Sequence, residues 1–268
     1  MNSAIFNITT ADGVTIMRYR LPKEADFVNQ AVSTRHGGVS TDGMLKSLNL
    51  GFSTSDKKEN VVENYRRFCT AAGFNIDNLV FASQTHSDNV RYVTEDDRGK
   101  GIFIDKDYTD IDALITDRRN VPLVIHTADC VPISYIDTKN FAIGNAHCGW
   151  RGTFNMLSHK TLLAMKNKFS TDPKDVICTI GPAICGSCYE VSEDLYGEFK
   201  KKFPYNDAMY IRDRKHHIDL MLINKHILEG MGVERIYTSD LCTCCNKDDL
   251  FSHRGLGKGR GLLSSADL

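Results

Sequence analysis

Alternating apolar and polar side chains mark the beginning of the chain. Two β-prone runs, at residues 8–10 and 14–19, flank the dipeptide Asp12-Gly13, which is typical of a tight hairpin turn. Another short run at residues 31–34 predicts a third strand. At residues 55–72 the apolar side chains instead recur at helical spacing, and Gly73 follows where a helix is expected to end. This part of the chain therefore predicts a hairpin, a strand and a long helix.

The central part of the chain consists mostly of short runs that are apolar or alternating. They predict strands at residues 79–82, 89–93, 113–116, 123–126, 131–136 and 141–146. Helical spacing returns at residues 153–168, 193–202 and 219–229, and further strands are predicted at residues 176–180 and 235–238. Because neither repeats nor a low-complexity linker interrupt this order, we expect a single mixed α/β domain spanning residues 1–268.

Composition and charge limit the kinds of molecule that the protein is expected to bind. The 268 residues are 41% hydrophobic, enough for a sizeable core, and 33 basic side chains nearly balance 34 acidic ones. The overall charge therefore gives no reason to expect binding to nucleic acid or to a membrane, and a small molecule is the expected partner. Neither a leader-like segment nor an apolar run of about 18 residues is evident, which favours a cytoplasmic protein. In that setting the nine cysteines are expected to be reduced thiols or metal ligands.

Three of the predicted strand ends carry soft metal ligands. His86 follows residues 79–82, Cys130 follows residues 123–126, and His147 follows residues 141–146. Imidazole and thiolate together suit zinc, and three protein ligands with an open fourth position are typical of a catalytic zinc site. A lone cysteine or histidine is more often structural, but three ligands in equivalent positions predict a metal centre.

The other cysteines and several arginines carry weaker signals. Cys185 and Cys188, like Cys242 and Cys245, have the spacing of a structural zinc knuckle, but the two pairs lie far apart in sequence and buried inert thiols are the preferred interpretation. Arginine suits forked recognition of phosphate, and three arginines lie beside glycines or flexible backbone. These candidate phosphate ligands are Arg35, Arg151 and Arg254.

Taken in order, the motifs of this chain resemble those of the YfiH or laccase-domain family, also called polyphenol oxidase, peptidoglycan editing factor and purine nucleoside phosphorylase. The matching segments are residues 33–40 (STRHGGVS), 47–51 (SLNLG), 84–86 (QTH), 112–116 (DALIT), 127–132 (TADCVP), 146–153 (AHCGWRGT), 181–184 (GPAI), 188–191 (CYEV), 242–243 (CT) and 251–254 (FSHR). They extend across nearly the whole chain. Departures from the usual pattern at Cys148, Cys244, Cys245 and His253 bear on specificity more than on the metal site.

The resemblance implies a four-layer α/β/β/α fold with two mixed sheets and a zinc ion held by His86, Cys130 and His147. It also implies phosphorolysis of adenosine, inosine and S-methyl-5'-thioadenosine, with adenosine deaminase as a side activity. The expected partners are a purine nucleoside and phosphate, and the expected assembly is a monomer or a weak homodimer.

Roles for further residues follow from the needs of that reaction. Phosphate must be placed against the anomeric carbon, for which Arg35 and Arg254 are the candidates, with Asn49 as a substrate contact. Asp129, next to a metal ligand, is either a proton shuttle or a residue that supports the site.

Three alternatives use the same residues. Cys130 and His147 could act as a metal-independent nucleophile and base in a hydrolase that edits cell-wall precursors. Copper could replace zinc in the trio, but a copper polyphenol oxidase needs further histidines, typically in His-x-His pairs, and none of the nine histidines forms such a pair. A non-enzymatic, metal-stabilised binding module is the third alternative.

Overall fold

The computed structural model describes residues 1–256 and 262–268, with backbone only at residues 262–267. Its strands are β1 (Phe6–Ala11), β2 (Val14–Tyr19), β3 (Asn29–Ser33), β4 (Val80–Phe81), β5 (Val90–Tyr92), β6 (Ala113–Thr116), β7 (Leu123–Thr127), β8 (Val131–Asp137), β9 (Ala142–Cys148), β10 (Val176–Ile180), β11 (Glu190–Val191), β12 (Met209–Arg212), β13 (Lys215–Ile218), β14 (Arg235–Thr238) and β15 (Leu262–Asp267). The helices are α1 (Lys58–Ala72), α2 (Trp150–Phe154), α3 (Leu157–Phe169), α4 (Glu193–Lys202), α5 (Leu220–Gly230) and α6 (His253–Leu256).

The strands form two large mixed sheets and a small one. The first sheet has the order β1-β2-β3-β15-β7-β4, and the second has the order β14-β10-β8-β9-β6-β5. Each contains antiparallel pairs together with parallel ones, β4 with β7 in the first sheet and β5 with β6 and β10 with β14 in the second. A separate, third sheet has three strands in the order β11-β13-β12.

Side-chain alternation along the strands explains why the large sheets stack. In β7, Leu123 and Ile125 belong to the apolar cluster between the sheets, whereas Val124 belongs to the cluster under α1. In the second sheet, Ile143 of β9 joins the cluster between the sheets, and its neighbour Ala142 faces the cluster that contains residues of α3 and α5. Period-two alternation thus gives each sheet two apolar faces, and the order of layers is helix, sheet, sheet, helix.

The predicted strands and helices are present, with two kinds of difference. The helix predicted at residues 153–168 is two helices, α2 and α3, because Met156 adopts a left-handed conformation with φ of 64° between them. The strands β11, β12, β13 and β15 were not predicted. The mixed α/β class and the pair of mixed sheets are confirmed.

Candidate metal centre and substrate cavity

The three predicted metal ligands come from one end of both large sheets. His86 lies in the loop after β4, and Cys130 lies in the tight turn between β7 and β8. His147 is the penultimate residue of β9, where it pairs with Pro132, rather than the residue after the strand as the sequence predicted. The ligand atoms of all three side chains lie within 4.8 Å of one another. The structure therefore brings the predicted trio together.

Asp112 orients the trio from the residue before β6. Its carboxylate is buried, accepts a hydrogen bond from Nδ1 of His147 at 2.7 Å, and also accepts bonds from the backbone N–H groups of Thr85, His86 and Ser87. One carboxylate therefore fixes both the loop that carries His86 and the ring of His147. Since Nδ1 is engaged, Nε2 is the atom that His147 offers to a metal, which is the usual arrangement of a carboxylate behind a metal-binding histidine.

Close approach of the ligands requires a glycine beside them. Nε2 of His86 lies 3.9 Å from Sγ of Cys130. A Cβ atom at Gly149 would lie 2.8 Å from Cδ2 of His86 and 3.1 Å from Sγ of Cys130. Residue 149 is thus a glycine because the side chains of His86 and Cys130 occupy the space that a Cβ atom would need.

Cys130 and His147 alter each other's protonation in the metal-free chain. Burial raises the pKa of the Cys130 thiol, but His147 and His86 outweigh that effect and lower it to about 6. Burial lowers the pKa of His147, yet the Cys130 thiolate and the Asp112 carboxylate raise it to about 9. The sulfur is therefore a thiolate at neutral pH, which is the form that binds a metal or attacks a substrate.

The trio opens onto a cavity of about 550 Å³, within the range of small-molecule sites, roughly 300–1,000 Å³. Aromatic and aliphatic groups form part of its wall, among them Phe52, Phe81, Tyr189 and Ile184. All three metal ligands belong to the lining. A bound metal would therefore face any molecule held in the cavity.

Two cations line the same cavity. Arg254 donates through Nη2 to the carbonyl of Glu190 at 3.1 Å and lies over the ring of Tyr189. Lys106 donates to the carbonyl of Ala82 at 3.1 Å, and burial lowers the pKa of its ammonium group. Both side chains thus place a basic group in the wall of the cavity.

Asp129 holds the segment that carries Arg254. Its carboxylate accepts hydrogen bonds from the hydroxyls of Thr243 and Ser252, at 2.7 and 2.6 Å, and from the backbone N–H of Arg254 at 2.6 Å. It also adopts a left-handed conformation, with φ of 86°, in the turn before Cys130. These hydrogen bonds favour a supporting role for Asp129 over a role as a proton shuttle.

The other two candidate residues contact the protein itself. The Arg35 guanidinium donates to the carbonyls of Lys46 at 2.9 Å and Lys247 at 2.6 Å, and Asn49 is buried, with donors directed at Thr54 and Asp56. Neither residue is among the described residues that line the cavity. The structure thus places Arg254 and Asp129 at the cavity, whereas Arg35 and Asn49 lie outside its described lining.

Several residues in and around the cavity received no role from the sequence. The amide of Gln84 exchanges two hydrogen bonds of 2.7 Å with the backbone of His126, which joins the loop of His86 to β7. Lys106, Phe52 and Asp112 were also missed. A carboxylate directly before a buried strand was the one available signal for Asp112, whereas the others depend on contacts between distant segments.

Known proteins are similar to this chain over most of its length. A family model described as multi-copper polyphenol oxidoreductase laccase matches residues 29–265. The chain is 31% identical over 259 residues to the purine nucleoside phosphorylase YlmD of Bacillus subtilis, covering 93% of this chain and 91% of that protein. It is also 31% identical over 240 residues to adenosine deaminase RL5 from an unknown prokaryotic organism, covering 87% of this chain and 90% of that protein.

Solved structures agree with the sequence comparison. The crystal structure of YlmD from Geobacillus stearothermophilus matches with a TM-score of 0.88 at 30% identity, covering 98% of each chain. Within the described part of the chain, no helix has the length and apolar character needed to cross a membrane.

Proposed function

Because this chain belongs to the YfiH or laccase-domain family, we propose that it is a zinc-dependent purine nucleoside phosphorylase with adenosine deaminase as a side activity. The proposed substrates are adenosine, inosine and S-methyl-5'-thioadenosine, together with phosphate. The observation that carries the proposal is the cavity itself, since its wall combines three metal ligands, two cations and several aromatic rings.

The donor set fits zinc. Two imidazoles and one thiolate suit a borderline-soft ion, and all three side chains line the cavity. Bound there, zinc would supply a Lewis acid that polarises a substrate atom and lowers the pKa of water. Copper binds nitrogen and sulfur ligands more tightly than zinc, so it is the alternative metal.

Oxidase chemistry has less support than phosphorolysis. A multicopper oxidase needs a cluster of further histidines beside its first copper site. In the described residues, two groups of side chains could hold a metal, the trio and a set of four cysteines, and the trio alone contains histidine. We therefore propose nucleoside chemistry in spite of the oxidoreductase wording of the family description.

Phosphorolysis assigns separate tasks to the cavity residues. A phosphate oxygen forms a bond to C1′ of the ribose while the bond from C1′ to the purine nitrogen breaks, and the purine leaves with the electron pair and takes up the proton that hydrogen phosphate gives up. Arg254 and Lys106 would hold the phosphate, and Phe52, Phe81 and Tyr189 would pack against the base and sugar. Asp129 would position Arg254, because it bonds to the backbone of that residue.

In this proposal Arg35 and Asn49 have a supporting role in place of the phosphate and substrate contacts expected from the sequence. Asn49 fixes the loop that brings Phe52 to the cavity, through hydrogen bonds to Thr54 and Asp56. Arg35 ties the carbonyl groups of Lys46 and Lys247 together. Both residues would therefore act on the site by positioning its loops.

Product analysis with and without phosphate tests the reaction. Inosine should yield hypoxanthine and ribose 1-phosphate in equal amounts only when phosphate is present, and phosphate-independent release of hypoxanthine would rule out phosphorolysis. Arg254→Gln should raise the KM for phosphate about tenfold or more, since a hydrogen bond to a charged group contributes about 1.5–3 kcal/mol. Arg214→Gln, on an exposed hairpin, is the matched control and should leave that KM unchanged.

A metal-independent hydrolase is the second candidate, because His147 lowers the pKa of the Cys130 thiol as it would for a nucleophile. That function predicts a covalent adduct on Cys130 and activity that survives complete metal removal. Release of ammonia from adenosine distinguishes deamination from phosphorolysis and from hydrolysis.

The expected monomer or weak homodimer is tested by light scattering over a range of concentrations.

A further inference from the structure

Four cysteines outside the cavity form a second cluster. Sγ atoms of Cys185, Cys188, Cys242 and Cys245, the four-cysteine cluster, lie within 4.8 Å of one another. They come from two Cys-x-x-Cys segments, and Cys188 and Cys245 meet across 57 residues of sequence with their sulfurs 3.4 Å apart. The sequence favoured inert thiols because the segments are distant, so their convergence is a finding of the structure.

Tight turns and backbone N–H groups surround the cluster. In the first segment the N–H of Cys188 donates to the carbonyl of Cys185 at 3.0 Å, which closes the turn between the two cysteines. In the second, the N–H of Cys245 points at Sγ of Cys242, at 3.5 Å, and the N–H of Cys185 points at the same sulfur at 3.3 Å. Backbone N–H groups directed at sulfur stabilise a thiolate, which is the form that binds a metal.

We propose that the four-cysteine cluster binds a structural zinc ion, separate from the His86, Cys130 and His147 site. A zinc–sulfur bond of about 2.3 Å puts the sulfurs of a tetrahedral site about 3.8 Å apart, so the observed cluster needs little contraction to coordinate the metal. Four protein ligands leave no open position, and two Cys-x-x-Cys pairs are the usual ligand set of a structural site. Cys244 lies within the second segment but does not belong to the cluster.

The position of the cluster indicates which segments this metal would join. Ala183 forms a β-bridge with Cys242, so the two segments already run side by side at the edge of the cavity. Next to the cluster, Ile184 and Tyr189 line the cavity, and Thr243 donates a hydrogen bond to Asp129. A zinc ion in the cluster would therefore join the segments that hold one wall of the substrate cavity.

Metal counting in matched variants tests the proposal. Elemental analysis of protein purified with zinc and without chelator should give about two zinc ions per chain. Cys188→Ser with Cys245→Ser should reduce the content to about one, Cys130→Ser should reduce it to about one by emptying the other site, and Cys244→Ser should leave about two. About one zinc in the wild type, with no loss in the Cys188/Cys245 double variant, would overturn the proposal.

Cobalt loading keeps the test valid if the double variant does not fold. Cys130→Ser removes the thiolate of the first site, so any thiolate-to-cobalt absorption in that variant must come from the four-cysteine cluster. We expect the intense absorption of a tetrahedral tetrathiolate cobalt site. Absence of that absorption in the folded variant, or a Cys188–Cys245 disulfide in peptide maps of freshly purified wild type, would contradict a zinc site.

Discussion

Asp112 controls the candidate metal centre without being one of its ligands. It accepts a hydrogen bond from His147 and holds the loop of His86 through backbone N–H groups. Burial alone would raise the pKa of Asp112, but His147 and the N–H groups of Thr85 and Ser87 lower it below its usual value. The group is thus a carboxylate that fixes the ring orientation of a ligand.

Replacing Asp112 with asparagine should weaken metal binding by about 10–100-fold, because the amide supports the ring of His147 less strongly than the carboxylate does. The measurement is a competition titration of the purified variant against a chromogenic zinc chelator. Asp77→Asn, which removes the same charge at an exposed position, is the control and should bind zinc as the wild type does. Equal affinities for all three proteins would show that Asp112 has no such role.

Cys130 should react as a thiolate near neutral pH when the metal is removed. Since its pKa is lowered to about 6, the thiolate forms as the pH rises through that value, well below the range of an ordinary thiol. Peptide mapping of iodoacetamide-treated, chelated protein should give an alkylation midpoint near pH 6 at this residue. His147→Gln should move the midpoint upward, and added zinc should protect the sulfur; an unchanged midpoint in the variant would contradict the assigned cause.

At the scale of elements, β9 and α2 meet at Gly149, directly beside the metal ligands. Gly149→Ala would place a methyl group against His86 and Cys130, so it should reduce zinc occupancy and activity together. In the interior of α4, Gly197 has no atom within 4 Å of a built Cβ, and Gly197→Ala should keep full occupancy and stabilise the fold by about 0.5–1 kcal/mol. Elemental analysis and urea unfolding measure the two effects. Full zinc occupancy in Gly149→Ala would show that the methyl group is accommodated.

Local periodicity explains which elements the sequence could predict. Helix α1 and strands β6 to β10 follow strong apolar patterns, and the structure confirms them. Met156 divides a continuous helical pattern because its backbone is left-handed, which no periodicity signals. The short strand β13 contains Lys215, His216 and His217, a polar run whose strand character depends on pairing with β11 and β12.

The residues of the site likewise divide into those with a local sequence signal and those that depend on contacts between distant segments. His86, Cys130 and His147 could be predicted because histidine and cysteine are distinctive ligands at strand ends. Lys106 reaches the cavity from a loop with no motif, so only the folded chain reveals it. Arg35 lies beside two glycines, which favoured a phosphate contact, but carbonyl groups from distant loops engage its guanidinium.

At the scale of the whole molecule, the contact between the two large sheets holds together the ends that carry the ligands. Buried residues of both sheets form this layer, among them Leu123 and Ile125 of β7 and Ile143 of β9. Gln30 of β3 crosses it and donates to Ser134 at 2.8 Å and to Thr179 at 2.9 Å. His86 follows β4 of the first sheet and His147 belongs to β9 of the second, while Cys130 lies in the turn that joins β7 of the first sheet to β8 of the second. This layer therefore sets the distances within the trio.

Ile143→Ala should lower the free energy of unfolding by about 2–5 kcal/mol, because it leaves a cavity between the sheets. Ile211→Ala, at a side chain that is 60% exposed, should change it by no more than about 0.5 kcal/mol. Urea unfolding followed by fluorescence gives both values. Similar losses in the two variants would contradict the position assigned to this layer.

We propose that a metal held by His86, Cys130 and His147 takes part in phosphorolysis, and the rate of ribose 1-phosphate formation from inosine and phosphate measures its contribution. The rate should fall to background once chelation has removed the metal, as verified by elemental analysis, and should return when zinc is added. An undiminished rate in protein shown to be free of metal would contradict the claim.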